Sequence, residues 1–331
     1  MRQRHASIAL PYSYVSKSAH FSMCYSAQVI EAYDEYCSEF GADIEIEAFA
    51  KLYGMKLYDN RIKTTHALDA NLAIEKRDKF ERIRDAIEKH RAQQVAKLGQ
   101  ELVDQRERLA KAEFSLTTKS TKKATDDKRI ASNKIERALE KLAELQRTEL
   151  KANDSRIFPG YYVPVMIVED GKKIVRPMRY QCRIAGSPEN FDTRFPGTYN
   201  ARLDNLDGFW RKQFRYTHGI AIVTAFYEYV TTANGEKAVI EFKPQNAQSM
   251  YVACLWSHWV STGKDDLYSF AFITDEAPAE VLAAGHDRCI IPLKRKYVDA
   301  WLNPDPQNLD AMYAILDDRE RPYYQHRSVS P

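Results

Sequence analysis

At 331 residues and 44% hydrophobic, the chain can bury one large core or two ordinary ones, and no window approaches about 18 uninterrupted apolar residues, which excludes a membrane-spanning helix. The net charge of +3 is too small to imply nucleic acid by itself, so that case rests on where the charges sit. Five cysteines, Cys24, Cys37, Cys182, Cys254 and Cys289, are scattered without a CxxC pair; this argues against a disulfide framework and a zinc site, fits a reducing cytoplasm, and leaves no metal or other cofactor implied.

Residues 1–22 hold Arg2, Arg4 and Lys17 and no acidic residue, and their one apolar cluster, 6–10, is too short for a secretory signal. They read as a leader or as sequence ahead of a true start at Met23. Trimming Met23 would leave Cys24 with two nucleophiles, an α-amine of ordinary pKa about 8 and a thiol of about 8.5. The amine can attack an aldehyde to give an imine, and the thiol can then close a five-membered thiazolidine. The plain alternative is an inert Cys in a polar-aromatic stretch.

From 68 to 114 there is no Pro, and Leu72, Phe80, Ile83, Ile87, Val95, Leu98, Leu102 and Leu109 recur at three- and four-residue intervals, predicting one long amphipathic helix. A Thr/Lys-rich connector is expected over 115–128. Residues 130–150 then repeat the pattern through Ile135, Leu139, Leu142 and Leu145. Together they predict an antiparallel helical hairpin or coiled coil over 72–150, inserted into a core of 23–71 and 151–304. Its charges read as a solvated surface, with nucleic-acid contact the alternative, and the insertion is the expected place for a protein partner or self-association.

After Asn153 short aromatic and β-branched runs predict strands over 161–168, 173–175, 220–230, 238–242, 250–256 and 268–274, with hairpin turns at Glu169-Asp170-Gly171 and Ala233-Asn234-Gly235. Short helices are expected over 278–284 and 297–302, and 305–331 reads as a polar, peripheral tail. The fold class is α+β: a β-rich sheet or barrel core with flanking short helices, interrupted by the hairpin.

Four segments carry chemistry when set beside Cys24. In Tyr199-Asn200-Ala201-Arg202 an amide and a guanidinium two apart share one side of a strand and can hold a polar ligand and a phosphate; the alternative is a turn Asn and a surface Arg. In Thr224-Ala225-Phe226-Tyr227-Glu228-Tyr229 one carboxylate ends an apolar strand, where burial would raise its pKa and suit it to proton transfer, unless it is a paired structural Glu. Ala284-Gly285-His286-Asp287-Arg288 offers an acid or base in His286 and a phosphate ligand in Arg288, against the reading of a surface His. Phe209-Trp210-Arg211-Lys212-Gln213-Phe214-Arg215-Tyr216 interleaves rings and cations as single-stranded nucleic acid requires, with Trp210, Arg211, Lys212 and Arg215 as its contacts; an amphipathic helix explains the same residues.

The order Met23-Cys24, Asn200-Ala201-Arg202, Phe226-Tyr227-Glu228-Tyr229 and His286-Asp287-Arg288, followed by Pro292-Leu293, resembles the SRAP family of SOS response-associated peptidases or abasic-site processing proteins. The resemblance covers 23 to about 67 and about 155 to 302. It implies a protein that captures abasic sites in single-stranded DNA as a thiazolidine on Cys24, with strand-cleaving lyase chemistry through the imine. Self-processing by Cys24 as an N-terminal nucleophile, and a non-catalytic DNA- or partner-binding module, are the alternatives. By resemblance Cys24 is the nucleophile, Asn200 orients the sugar or the Cys terminus, Arg202 binds the flanking phosphate, Glu228 shuttles protons and His286 acts as acid or base. A cytoplasmic protein, nucleoid-associated when bound to DNA, is expected. The chain departs from the family pattern in four places. Tyr25-Ser26 replaces Gly-Arg after Met-Cys, Asp204 stands for Glu, Tyr180-Gln181-Cys182 stands for Trp-Gly-Leu, and His286-Asp287-Arg288-Cys289-Ile290 stands for His-x-Arg-Met-Pro, with the Pro displaced to Pro292.

Overall fold

A computed structural model describes residues 26–29, 33–231 and 235–329; residues 1–22, Cys24, Ala233 and Asn234 lie outside the described residues. The chain begins with β1 (Ser26–Val29), α1 (Tyr33–Phe40), β2 (Asp43–Ile44), α2 (Ile46–Lys56), β3 (Lys63–Thr64) and α3 (His66–Ile74), then forms the helical hairpin α4 (Glu81–Thr118) and α5 (Lys122–Gln146). There follow β4 (Arg156–Ile157), β5 (Tyr161–Glu169), β6 (Lys172–Tyr180), α6 (Phe191–Arg194), β7 (Asn200–Arg202), α7 (Arg211–Tyr216), β8 (His218–Thr231), β9 (Lys237–Pro244), β10 (Met250–Trp259) and β11 (Leu267–Glu276). The last part holds α8 (Ala279–Ala283), β12 (Arg288–Ile290), β13 (Pro292–Leu293), α9 (Val298–Leu302), α10 (Leu309–Asp317) and β14 (Tyr324–Val329). The architecture is the expected α+β.

The expected single helix of 68–114 is two helices, broken at Glu75–Arg77 so that Phe80, with no exposed surface, packs against Phe49, Tyr53, Leu68, Leu72 and Ile83. Arg84 Nη1 caps the break, donating to the carbonyls of Glu75 at 2.6 Å and Arg77 at 3.0 Å. The expected connector is mostly helical: α4 runs to Thr118, and Thr121 Oγ1 caps α5 by accepting from Ala124 N at 3.2 Å. With 38 residues α4 extends about 57 Å. Its seam with α5 is lined by alanines at heptad spacing, Ala124, Ala131 and Ala138, all buried, whereas the expected seam residue Leu139 is 46% exposed. Small side chains let the helix axes approach closely, which turns the bulkier neighbour outward.

Pairings β10–β11, β11–β6, β6–β5, β5–β8 and β8–β10 close a ring of five strands. Alternate residues serve two buried faces: Val163, Val165, Ala221, Val223, Val252, Cys254, Phe270 and Phe272 form one cluster, while Met166, Ile220, Ile222, Ala253, Leu255, Ala271 and Ile273 meet α1, α7, α9 and α10 on the other. The β5–β6 turn is the expected hairpin, with Asp170 at φ +50° and Gly171 at φ +75° as a primed turn requires. The end of the chain is not a peripheral tail. Met312, Ile315 and Leu316 of α10 are buried in the core, and β14 pairs with β9 from Tyr324↔Pro244 to Val329↔Val239.

His218, at the start of β8, is buried beneath Trp301, with Nδ1 2.9 Å from the Trp301 carbonyl and Nε2 2.7 Å from that of Phe214. Burial pushes its pKa down to about 4 against the opposing pull of those carbonyls. A histidine whose folded pKa lies below its unfolded value of about 6.5 contributes stability above that pH and loses it as the pH falls toward about 4. Thermal unfolding measured from pH 7 down to 4 is therefore expected to show a falling midpoint, with a shallower fall in His218→Asn. At the helical seam, Ala131→Leu is expected to cost about 1–3 kcal/mol in a urea titration through overpacking, with unchanged stability ruling out close helix packing there.

Candidate functional site

The last residues of β8 alternate sides: Phe226, Glu228 and Val230 face one way, Tyr227 and Tyr229 the other. Glu228 has no exposed surface and His286 is 1% exposed. His286 Nε2 lies 3.0 Å from Glu228 Oε2. The imidazole reaches that position because α8 ends in Gly285 at φ +99°, a conformation that favours glycine. A Cβ added there would sit 3.5 Å from Val230 Cβ, so the turn lies directly on β8. The Asp287 carbonyl accepts from Ala277 N at 3.1 Å, closing the loop. His286 Nδ1 is held by the Arg288 backbone, 2.9 Å from its carbonyl and 3.3 Å from its N–H.

Burial lowers the His286 pKa, opposed by the Arg288 carbonyl and the charge of Asp287. The Arg288 backbone offers His286 Nδ1 both a carbonyl and an N–H, so either tautomer is held there, and Nε2 is left facing the Glu228 carboxyl group across 3.0 Å. Such a pair can take up or release a proton without bulk water. The neighbouring Cys289 thiol is pushed up to about 12 by burial, with the Glu228 charge adding to the effect, which leaves it inert.

Asn200 and Arg202 approach from another direction. Their strand β7 runs parallel to β11 with Asn200↔Phe272 and Thr274↔Arg202, while β12 flanks the opposite edge with Thr274↔Ile290. The two strands bearing Arg202 and Arg288 are thus about 10 Å apart across one strand. Asn200 is buried, and Arg202 holds Asp204 bidentately at 3.1 and 2.5 Å. That fork keeps the Asp204 carboxyl below its usual range, and Arg288 adds to the effect. Both cations therefore act on one surface.

The basic-aromatic segment divides. Trp210 is buried and cannot stack on a base, because α7 turns it and Phe214 into the core. Arg215 is half-buried and donates through Nη1 to the Pro306 carbonyl at 3.0 Å, a structural tie within the fold. Arg211 and Lys212 are exposed, as is Phe209. Phe209 joins a ring cluster that sequence reasoning missed, 6.0 Å from Phe195 and 6.3 Å from Phe191, with Phe195 41% exposed and Arg194 beside it. The Phe-x-x-x-Phe spacing of Phe191 and Phe195 just ahead of Asn200 was the available signal. Cys24 lies outside the described residues, two positions before Ser26. Among the described residues no group of three or more His, Cys, Asp or Glu side chains is placed to hold a metal ion, and no helix is long and apolar enough to cross a membrane.

The protein is thus an α+β fold built on a closed strand ring, with a buried carboxyl-imidazole pair at one strand end and a strand bearing an amide and a guanidinium in the same sheet. The family described as SOS response associated peptidase (SRAP) matches residues 124–331, and the chain belongs to it. The abasic site processing protein of Saccharomyces cerevisiae is 29% identical over 112 residues, which make up 33% of this chain and 29% of that protein, so the chain spans under a third of that relative's length. An X-ray structure of a protein from Bordetella bronchiseptica is similar with a TM-score of 0.44 and 18% identity, over 54% of this chain and 88% of that one. One from Bacteroides thetaiotaomicron has a TM-score of 0.43 and 14% identity, over 57% and 82% of the two chains.

Gln181, the middle residue of the segment standing for the family's Trp-Gly-Leu, has φ +108°, a region that glycine alone adopts freely. Gln181→Gly is expected to raise stability by about 1 kcal/mol in chemical unfolding; a fall in stability would show that the side chain contributes more than its backbone strains.

Proposed function

We propose that this protein captures abasic sites in single-stranded DNA through a covalent bond to Cys24. The observation that carries the reading is the buried Glu228–His286 pair, 3.0 Å apart, one residue beyond the pairing Ser26↔Tyr227 that ties β1 to β8. Cys24 is two residues before Ser26 in the sequence, and two residues span at most about 7 Å. The family match, which takes in Asn200, Arg202, Glu228, His286 and Arg288, and the abasic-site name of the yeast relative support the same reading.

The chemistry runs in balanced steps. The neutral α-amine of Cys24 adds to the aldehyde carbon of the ring-opened sugar, and a proton delivered to the oxygen lets water leave as the imine forms. The thiol sulfur then adds to the imine carbon while its proton passes to nitrogen, closing the thiazolidine with one water lost overall. Glu228 and His286 carry the protons, and Asn200 orients the sugar. Arg202 and Arg288 hold the flanking phosphates, while Arg211 and Lys212 with the exposed rings of Phe195 and Phe209 carry the strand onward. In the free protein Asp204 occupies the Arg202 fork, so phosphate must displace it.

Denaturing electrophoresis of protein starting at Cys24, incubated with a single-stranded oligonucleotide bearing one abasic site, is expected to show a shifted band that is absent in Cys24→Ala and slowed by about 10²-fold or more in Glu228→Gln. No band from folded protein would overturn the reading. Removal of residues 1–23 from the Met1 form, dependent on Cys24, would establish self-processing as well. Binding should weaken with salt, and taking away one phosphate ligand, as Arg202→Ala or Arg288→Ala does, should flatten the log–log slope by about 0.7. Asp204→Asn is expected to tighten binding by freeing the Arg202 fork.

A further inference from the structure

We propose that Arg156 is a positioning residue for capture, pinning Ser26 and so setting the register of the chain that leads to Cys24. The inference rests on the capture reading above. Arg156 is 7% exposed, and its Nε donates to Ser26 Oγ at 3.0 Å. Its guanidinium lies 4.1 Å from the centre of the Tyr227 ring and 4.9 Å from that of Phe158. A guanidinium withdrawn from water is strongly disfavoured unless bonded and stacked, so this one is held by specific geometry rather than by general packing.

The segment it acts on is short and is held by ladders to β8 and β4, to which Arg156 adds a side-chain tie at the end of the described strand. β1 is four residues long, with only Ala27 and Val29 in the core, and its pairing with β8 shifts between Gln28 and Val29. A slip of one residue would turn Ser26 to the other face and shift β1 by about 3.3 Å along β8, a displacement larger than the tolerance of a nucleophilic attack. Arg156 opposes that slip from β4, which pairs Gln28↔Arg156 and Ala27↔Ile157. The clamp is backed by Tyr227, whose hydroxyl lies 2.8 Å from Glu241 Oε1 and 3.1 Å from Gln28 Oε1, and Glu241 is in turn bound by Arg327. β4 is itself fixed at the base of the helical hairpin, where Arg147 grips Asp154 with two 2.8 Å bonds. The Ser26 and Tyr227 side chains lie on the face of β8 opposite Glu228, so Arg156 sits across the strand from that carboxyl group.

The test compares wild type, Ser26→Ala, Arg156→Lys and the double variant in protein starting at Cys24. Three quantities are measured: the single-turnover crosslinking rate at saturating abasic oligonucleotide, the Kd for the same strand carrying an unreactive tetrahydrofuran site, and the thermal midpoint. Each single variant is expected to crosslink about tenfold more slowly or worse with Kd within about twofold of wild type, and the double variant to be no slower than the worse single, because all break the same hydrogen bond. Arg156→Lys at the wild-type rate would reduce Arg156 to a buried charge and overturn the proposal, as would single effects that multiply. Ser26→Ala removes one oxygen atom and keeps the test readable if Arg156→Lys unfolds. A wild type that never crosslinks removes the capture reading itself, an outcome distinct from variants that match a crosslinking wild type.

Discussion

A carboxyl group and an imidazole facing each other at 3.0 Å, both withdrawn from solvent, stay buried only if the surrounding chain forbids relaxation toward water. β8 meets that demand. It is fourteen residues long, pairs with β1, β5, β9 and β10, and is buried on both faces along most of its length, so the Glu228 backbone cannot move toward water. The loop after α8 supplies the partner through a glycine turn seated on Val230. The facing of carboxyl group and imidazole is therefore set by the strand ring together with the turn seated on it.

The remaining elements arrange chemistry around that fixed point. β7 and β12 flank the end of β11, which gathers Arg202 and Arg288 at one edge although 86 residues of chain separate them. Within this edge the Arg202 guanidinium is paired with the Asp204 carboxylate, so its charge is partly neutralised from inside the fold. The hairpin stands apart from this surface, and its alanine seam lets two long helices pack with few large side chains.

β1 is a four-residue strand paired on both edges, and Cys24 lies two positions before it in the sequence. Its clamp joins parts of the chain that are distant in sequence: Ser26, Arg156, Tyr227 and Glu241. An insertion as long as the hairpin could loosen the strand that follows it. Here the Arg147–Asp154 pair closes the base of the insertion before β4 begins.

Much was legible from local signals. Strand periods over 161–168, 220–230 and 268–274, the Asp170-Gly171 turn and the helical hairpin follow from side-chain pattern and turn chemistry, which depend on near neighbours alone. The ordered segments around Asn200, Glu228 and His286 were recognisable for the same reason, and the φ of Gln181 accords with its place in the glycine position of the family segment. The sequence could not tell that Trp210 is core while Phe209 and Phe195 are surface, since a ring among cations reads alike in either setting. Nor could it show that 305–331 is built into the core, because β14 gains its partner from β9 some eighty residues earlier. By itself the sequence determined the central strands, the helical character of the hairpin, the family and the identity of the chemical groups, all written in short-range pattern. Only the tertiary structure decided which groups meet, because the Glu228–His286 and Ser26–Arg156 pairings arise from strand register and burial across 58 and 130 residues of chain, distances at which no local pattern carries information.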